Sequence, residues 1–147
     1  MNKILIPVDG SEHSKRAVEE GRVLMEGFGC DIVLISVIEV LTAPRRFNIA
    51  IPKPDRAQDP YADKETDAAL ELLKTYKESF GDLKDRVSTQ ILYGKAADEI
   101  IKMLNETEVD MAIMGSRGIG SPVYRNLLGS VASKVLHHAE KPVLIIQ

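Results

Sequence analysis

The chain has 147 residues, of which 44% are hydrophobic and 28% are charged, and its formal net charge is −3. This length predicts a single domain spanning residues 1–147, with a core large enough to need neither disulfides nor a structural metal. The acidic balance provides no positive field for a polyanion, so nucleic acid is excluded as an expected partner.

The cysteine and the N-terminal residues indicate a cellular location. Cys30 is the one cysteine of the chain, so it cannot form an intrachain disulfide and is interpreted as a small packed side chain. The N-terminal residues lack the pattern of a secretory signal, and no stretch approaches the roughly 18 apolar residues that span a bilayer. We therefore expect a cytoplasmic protein with no membrane partner.

The first forty residues predict one strand–helix–strand unit. Lys3 to Val8 is apolar on both faces, as in a strand buried between helices. Asp9-Gly10-Ser11 predicts a turn, and the apolar spacing from Ser14 predicts a helix that ends near Gly27. Asp31 to Ile38 is a second continuous apolar run, so the two strands are expected to be parallel.

Glu39 to Asp59 interrupts this pattern with prolines and basic residues. At about twenty residues it exceeds the usual connection between elements, which is typical of a functional lid or of a flexible insertion. Two interpretations stay open for residues 39–60. One is a solvated, mobile loop, and the other is a flap whose arginines approach a bound anion.

The second half of the chain continues the alternation of helices and strands. The spacing of apolar residues predicts an amphipathic helix, a more exposed strand at a sheet edge, a helix of about ten residues, a short strand, a helix and a last strand. These elements are expected at Ala62–Phe80, Val87–Tyr93, from Ala96 to about Asn105, Met111–Met114, about Gly129–Ala139 and Val143–Ile146.

Five strands alternating with helices predict an α/β fold with a parallel sheet covered on both faces. Ligands of such sheets bind outside the carboxyl ends of the strands, where the strand order reverses. If the first and fourth strands are neighbours at the centre of the sheet, Asp9 and the loop at Gly115 flank one crevice.

The segment from Met111 to Val131 is the strongest candidate for a binding site. A short apolar strand runs into the glycine-rich loop of residues 115–121, and Gly129-Ser130 opens a helix. Glycines allow backbone N–H groups to approach an anion, and a helix N-terminus adds unpaired donors, so this geometry favours phosphate. The alternative is a strand–helix connection whose glycines serve only its turns.

Three polar side chains have two interpretations each. Asp9 is either a helix cap or a carboxylate that accepts hydrogen bonds from a ribose or lies near a metal, and Ser11 is a competing cap. Arg117 is either the cation nearest a phosphate or a solvated loop charge. Ser130 is able both to cap its helix and to donate its hydroxyl to a phosphate.

The sequence contains no recognisable constellation for rapid catalysis. His13, His137 and His138 have neither the arrangement of a triad nor the spacing of metal ligands. The G-x-x-x-x-G-K-(S/T) motif of P-loop NTPases is absent, and so is the G-x-S-x-G elbow. Rapid catalysis is therefore not expected.

Four segments together resemble the universal stress protein family over the full length of the chain. They are Ile4-Leu5-Ile6-Pro7-Val8-Asp9-Gly10-Ser11, Val109-Asp110-Met111-Ala112-Ile113-Met114-Gly115-Ser116-Arg117-Gly118, Leu128-Gly129-Ser130-Val131-Ala132 and Lys141-Pro142-Val143-Leu144-Ile145-Ile146. The resemblance implies the adenine-nucleotide alpha hydrolase-like fold, with strand order 3-2-1-4-5. It also implies a homodimer in which the last strands, Val143 to Ile146, pair across a two-fold axis.

Members of this family that bind ATP resemble one another in the motif G-x2-G-x9-G-(S/T). Gly115 and Gly118 fit it here, but ten residues instead of nine separate Gly118 from Gly129. A turn at Gly120-Ser121-Pro122 would absorb the extra residue and leave the glycines in place, whereas a shift of the loop would misplace the amide donors.

The resemblance implies a nucleotide site made by residues at the carboxyl ends of the strands. Asp9 would contact the ribose, the backbone at Val37 the adenine, Gly115 and Gly118 the ribose and phosphates, and Gly129 with Ser130 the β- and γ-phosphates. The site as a whole would comprise Pro7, Val8, Asp9, Val37, Met114, Gly115, Arg117, Gly118, Gly129, Ser130 and Val131.

The ligand implied by the resemblance is ATP, with Mg²⁺ carried on its phosphates and no metal ligand from the protein's side chains. The expected function is that of a dimeric, ATP-binding regulatory module of the stress response. The alternative is a nucleotide-free dimeric interaction protein of the same fold.

Overall fold

The structure is a computed structural model, and it describes residues 1–39, 60–119 and 127–147. In chain order its elements are β1 (Lys3–Pro7), α1 (Glu12–Phe28), β2 (Asp31–Ile38), α2 (Pro60–Glu78), a 3-10 helix (Gly81–Arg86), β3 (Val87–Tyr93), α3 (Ala96–Glu106), β4 (Met111–Gly115), α4 (Ser130–His138) and β5 (Val143–Ile146). No helix within these residues is long and apolar enough to cross a membrane.

The five strands form one parallel sheet in the order β3-β2-β1-β4-β5, which confirms the predicted order. β1 lies at the centre and pairs with β2 through Leu5 opposite Val33, and with β4 through Leu5 opposite Ala112. The central position explains why β1 reads as a continuous apolar run, since both of its faces are covered. Because β1 and β4 are neighbours, the predicted crevice at Asp9 and Gly115 exists.

Two apolar layers hold the helices against the sheet. On one face α1 and α2 pack on the sheet through side chains such as Val18 and Leu73, together with Ile6 of β1. On the other face α3 and α4 pack through Leu104 and Val135. Consecutive strand residues alternate between the layers, as the period of two requires. The predicted arrangement with helices on both faces is confirmed.

The 3-10 helix Gly81–Arg86 is an element that the sequence pattern did not predict. Gly81, directly after the helix predicted over Ala62–Phe80, has a φ of 58° and is typical of a helix end. The chain instead makes one tight helical stretch before β3, because Phe80 is buried in the core and holds the start of that stretch in place. The proposed lid or flexible loop falls on residues 40–59, which lie outside the described residues.

Candidate functional site

A cavity of about 350 Å³ opens at the carboxyl ends of β1 and β4 and continues to the start of α4. This volume lies within the range of small-molecule sites. The cavity is lined by every residue that the resemblance implied, namely Pro7, Val8, Asp9, Val37, Met114, Gly115, Arg117, Gly118, Gly129, Ser130 and Val131. It is also lined by Ser14, Glu39, Ala96, Ile100, Ile119 and Ala132.

Asp9 connects two loops at the mouth of this cavity. Its Oδ1 accepts a hydrogen bond from the backbone N–H of Ser11 at 2.9 Å, and its Oδ2 accepts one from the N–H of Ile119 at 3.0 Å. The cap of α1 is Ser11, whose hydroxyl accepts from the N–H of Ser14 at 3.1 Å. Asp9 is therefore not the cap, and as a carboxylate it keeps lone pairs for a further donor.

Gly118 lies against the carboxylate of Asp9. A Cβ added at Gly118 would lie 2.7 Å from Asp9 Oδ2, closer than such atoms approach in proteins. Gly115 has a similar restriction, because a Cβ there would lie 2.6 Å from the Cβ of His13 and 2.8 Å from its carbonyl carbon. Both glycines let the loop after β4 pack against the turn after β1.

The start of α4 presents three unpartnered amides. Gly129 is the N-cap, and its own N–H donates to the carbonyl of Ser116 at 2.7 Å. The first donors without a partner among the described residues are therefore the N–H groups of Ser130, Val131 and Ala132. Ser130 is the first helical residue and does not cap α4. The three amides and the helix dipole favour an anion at this wall.

Arg117 is the cationic side chain among the described lining residues, which also include Asp9 and Glu39. Its side chain is partly buried, and it lines the cavity. Its Nε is buried and has no hydrogen-bond partner. The cavity thus contains a cation that forms no ion pair with a described residue.

The opposite wall of the cavity is mainly apolar. Val8, Val37 and Met114 come from the ends of the central strands, and Ala96 and Ile100 come from the start of α3. Such a surface suits the flat face of a base, whereas the α4 wall suits anionic groups.

The sequence reasoning missed Glu39 and the α3 residues. Glu39 follows β2 directly, as Asp9 follows β1, so its place at the carboxyl edge of the sheet was a usable signal. Ala96 and Ile100 belong to a helix that begins just after β3, and only the packing of that helix brings them to the cavity. Among the described ranges, no group of three or more His, Cys, Asp or Glu side chains is arranged to hold a metal ion.

The fold and the cavity define a class: an α/β protein with a parallel sheet and a glycine-lined, anion-favouring site at its switch point. The sequence model of the universal stress protein family matches residues 1–147, and the chain belongs to that family.

Individual relatives agree with this assignment. Universal stress protein MJ0531 of Methanocaldococcus jannaschii is 28% identical over 145 residues, which are 99% of this chain and 81% of the relative. The chain shares its fold with universal stress protein UspA from Lactobacillus plantarum, with a TM-score of 0.74, 24% identity and coverage of 99% and 97%. A universal stress protein from Archaeoglobus fulgidus, solved in complex with dAMP, gives a TM-score of 0.64 at 18% identity and covers 100% and 98%.

Proposed function

We propose that this protein is a cytoplasmic, ATP-binding, dimeric regulatory module of the stress response. The observation that carries the proposal is the convergence of Gly115, Gly118 and Gly129 on one open cavity, beside the unpartnered amides at the start of α4. A polyphosphate supplies the acceptors that those amides lack. The dAMP complex of the Archaeoglobus relative supports an adenine nucleotide as the class of ligand.

The extra residue in the glycine motif does not count against this proposal. Gly118 and Gly129 line the same cavity although ten residues separate them. The proposed turn at Gly120-Ser121-Pro122 lies outside the described residues. Gly118 and Gly129, on either side of that turn, both line the cavity, which supports a phosphate site that tolerates the extra residue.

Each wall of the cavity has a role in this proposal. The base would lie against Val37 and Ile100, and the ribose would donate to Asp9, while the phosphates would meet the N–H groups of α4. Mg²⁺ would be held by the phosphates, since Asp9 already accepts two backbone N–H groups. Micromolar affinity requires about −8 kcal/mol, which several charge-assisted hydrogen bonds can supply after desolvation losses.

A regulatory role fits the chemistry of the lining better than rapid turnover. The described lining residues include no histidine, cysteine or lysine that would serve as a general base or nucleophile. Cys30 is fully buried, and burial raises the pKa of its thiol, so it stays protonated and unreactive. A buried thiol of this kind is compatible with the reducing cytoplasm.

β5 supports the proposed dimer. It forms one edge of the sheet, pairing with β4 on one side and with no other strand in the described part of the chain. Leu144 on this strand is 39% exposed. An exposed edge with apolar side chains favours pairing with another strand, and a second copy of β5 across a two-fold axis would provide it.

Two measurements on the purified chain test the proposal. Equilibrium dialysis with ATP and Mg²⁺ is expected to retain about one nucleotide per chain, and native mass spectrometry is expected to give a dimer. No retention of ATP by a folded dimer would overturn the ATP-binding function and leave the nucleotide-free interaction protein as the better description.

A further inference from the structure

Arg117 carries a guanidinium that the fold itself does not use. Its Nε is buried without a hydrogen-bond partner. The ion pairs found among the described residues join other side chains, namely Arg22 with Glu26, Lys84 with Glu78, Arg86 with Asp31 and Lys134 with Asp98. A buried donor without a partner destabilises the folded chain, and a bound ligand is one way in which such a group gains a partner.

Neither of the two carboxylates in the described lining forms an ion pair with this cation. Asp9 lies close to the loop of Arg117, but both of its oxygens accept backbone N–H groups, from Ser11 and Ile119. Glu39 lies at the end of β2 and forms no ion pair with Arg117. The described lining therefore has two negative charges and one positive charge, and the positive charge has no ion-pair partner among the described residues. Arg117 is the one cationic side chain of the described lining that an entering anion would contact.

The backbone that carries Arg117 is fixed on both sides. The preceding residue, Ser116, is buried, and its N–H donates to the carbonyl of Ile146 at 2.7 Å. The following residue, Gly118, is held against Asp9. A side chain presented from an anchored loop loses less freedom on binding, and a guanidinium fork matches two oxygens of one phosphate group.

We infer that Arg117 is the side chain by which the cavity selects phosphorylated nucleotides over nucleosides. The inference rests on the proposed function and makes it more specific, because it assigns the dependence on the phosphate to one residue. The amides of α4 can donate hydrogen bonds to any anion, whereas Arg117 adds a full positive charge and a pair of adjacent donors.

Isothermal titration calorimetry with ATP, in the presence of Mg²⁺, and with adenosine tests this inference on wild type and two variants. Arg117→Gln removes the charge and the fork, and we expect it to weaken ATP about 10- to 100-fold, the typical effect of losing a charge-assisted hydrogen bond in a buried site. Adenosine affinity should change less than about twofold, because adenosine has no phosphate. Arg117→Lys keeps the charge without the fork and should recover part of the ATP affinity.

Lys74→Gln is the matched control. It removes the same charge from an exposed position of α2 that does not line the cavity, so ATP affinity should stay at the wild-type value. Thermal denaturation without ligand provides a second readout. Since Arg117 has no described partner, Arg117→Gln should melt no lower than wild type, while its stabilisation by ATP should be smaller.

The outcomes separate the inference from the proposed function. Wild-type ATP affinity in Arg117→Gln would overturn the inference and leave the proposed function in place. Equal weakening of ATP and adenosine would also overturn it, because the residue would then support the shape of the cavity and not the phosphate. Failure of the folded wild type to bind ATP would overturn both.

Discussion

The two ends of the parallel sheet both contain charged residues, but they differ in how completely those charges are paired. At the amino end the Asp110 carboxylate accepts backbone N–H groups from Asn2 at 2.5 Å and Lys3 at 2.9 Å. Lys141 Nζ donates to the carbonyls of Thr107 and Val109, each at 2.7 Å. The charged groups of Asp110 and Lys141 are thus paired within the protein.

At the carboxyl end the pairing is incomplete. Arg117 Nε has no partner, and the N–H groups of Ser130, Val131 and Ala132 have none among the described residues. The two ends of the sheet show that charged residues alone do not identify a binding site. Paired charges stabilise the fold, whereas donors left without partners around a cavity are available to a ligand.

The substitution with the greatest predicted effect lies at the carboxyl end and should weaken ligand binding. Gly118→Ala places a Cβ 2.7 Å from Asp9 Oδ2 and must displace that carboxylate or the loop. We expect ATP affinity, measured by calorimetry, to fall about 100-fold, near the upper cost of ~3 kcal/mol for an overpacked contact.

Gly27→Ala is the control for this substitution. Gly27 lies in α1 and has no atom within 4 Å of an added Cβ, so the same change should leave ATP binding unaltered and stabilise the helix by up to ~1 kcal/mol. Unchanged ATP affinity in Gly118→Ala would show that the cavity does not hold the nucleotide through this loop.

A smaller effect is expected at the amino end, and it should concern stability. Lys141→Met keeps most of the side chain but removes the two bonds to the carbonyls of Thr107 and Val109. We expect the free energy of unfolding in urea to fall by about 1–2 kcal/mol, with ATP affinity unchanged. Lys102→Met, at an exposed position of α3, should alter neither quantity. Weakened ATP binding in a folded Lys141→Met variant would show that the amino end also affects the ligand site and would contradict this prediction.

The smallest effect is expected from the pH dependence of Asp110. Hydrogen bonds from the backbone N–H of Asn2 and then of Lys3 lower the pKa of its carboxyl below the ordinary value. A carboxyl with a lower pKa in the folded chain adds stability above its unfolded pKa of about 4, and that stability is lost as pH falls through the folded pKa.

Asp110→Asn tests that dependence. We expect the Tm of wild type, followed by calorimetry from pH 7 to pH 3, to exceed that of the variant slightly at neutral pH and to converge with it in acid. Curves that stay parallel over this range would show that the carboxylate is not stabilised by the chain's N-terminal amides.

The elements of the fold could be predicted because each depends on a local pattern. The apolar runs of β1, β2 and β4 identify buried strands, and the spacing in α3 identifies an amphipathic helix within a residue or two of its bounds. The 3-10 helix was missed because Gly81 is typical of a helix end, and the burial of Phe80 is not visible locally. The candidate residues were found through the glycines and the resemblance, since both depend on spacing along the chain.

The strands, the α-helices and many of the residues around the cavity could therefore be predicted from the sequence, because periodicity and motifs are local properties of the chain. Only the tertiary structure decided which of their polar groups are free. The N–H of Gly129 donates to the carbonyl of Ser116 and is not free, Asp9 accepts from Ser11 and Ile119 and keeps further lone pairs, and Arg117 Nε has no hydrogen-bond partner among the described residues. Whether a donor finds a partner depends on segments far apart in sequence, and folding alone brings those segments together.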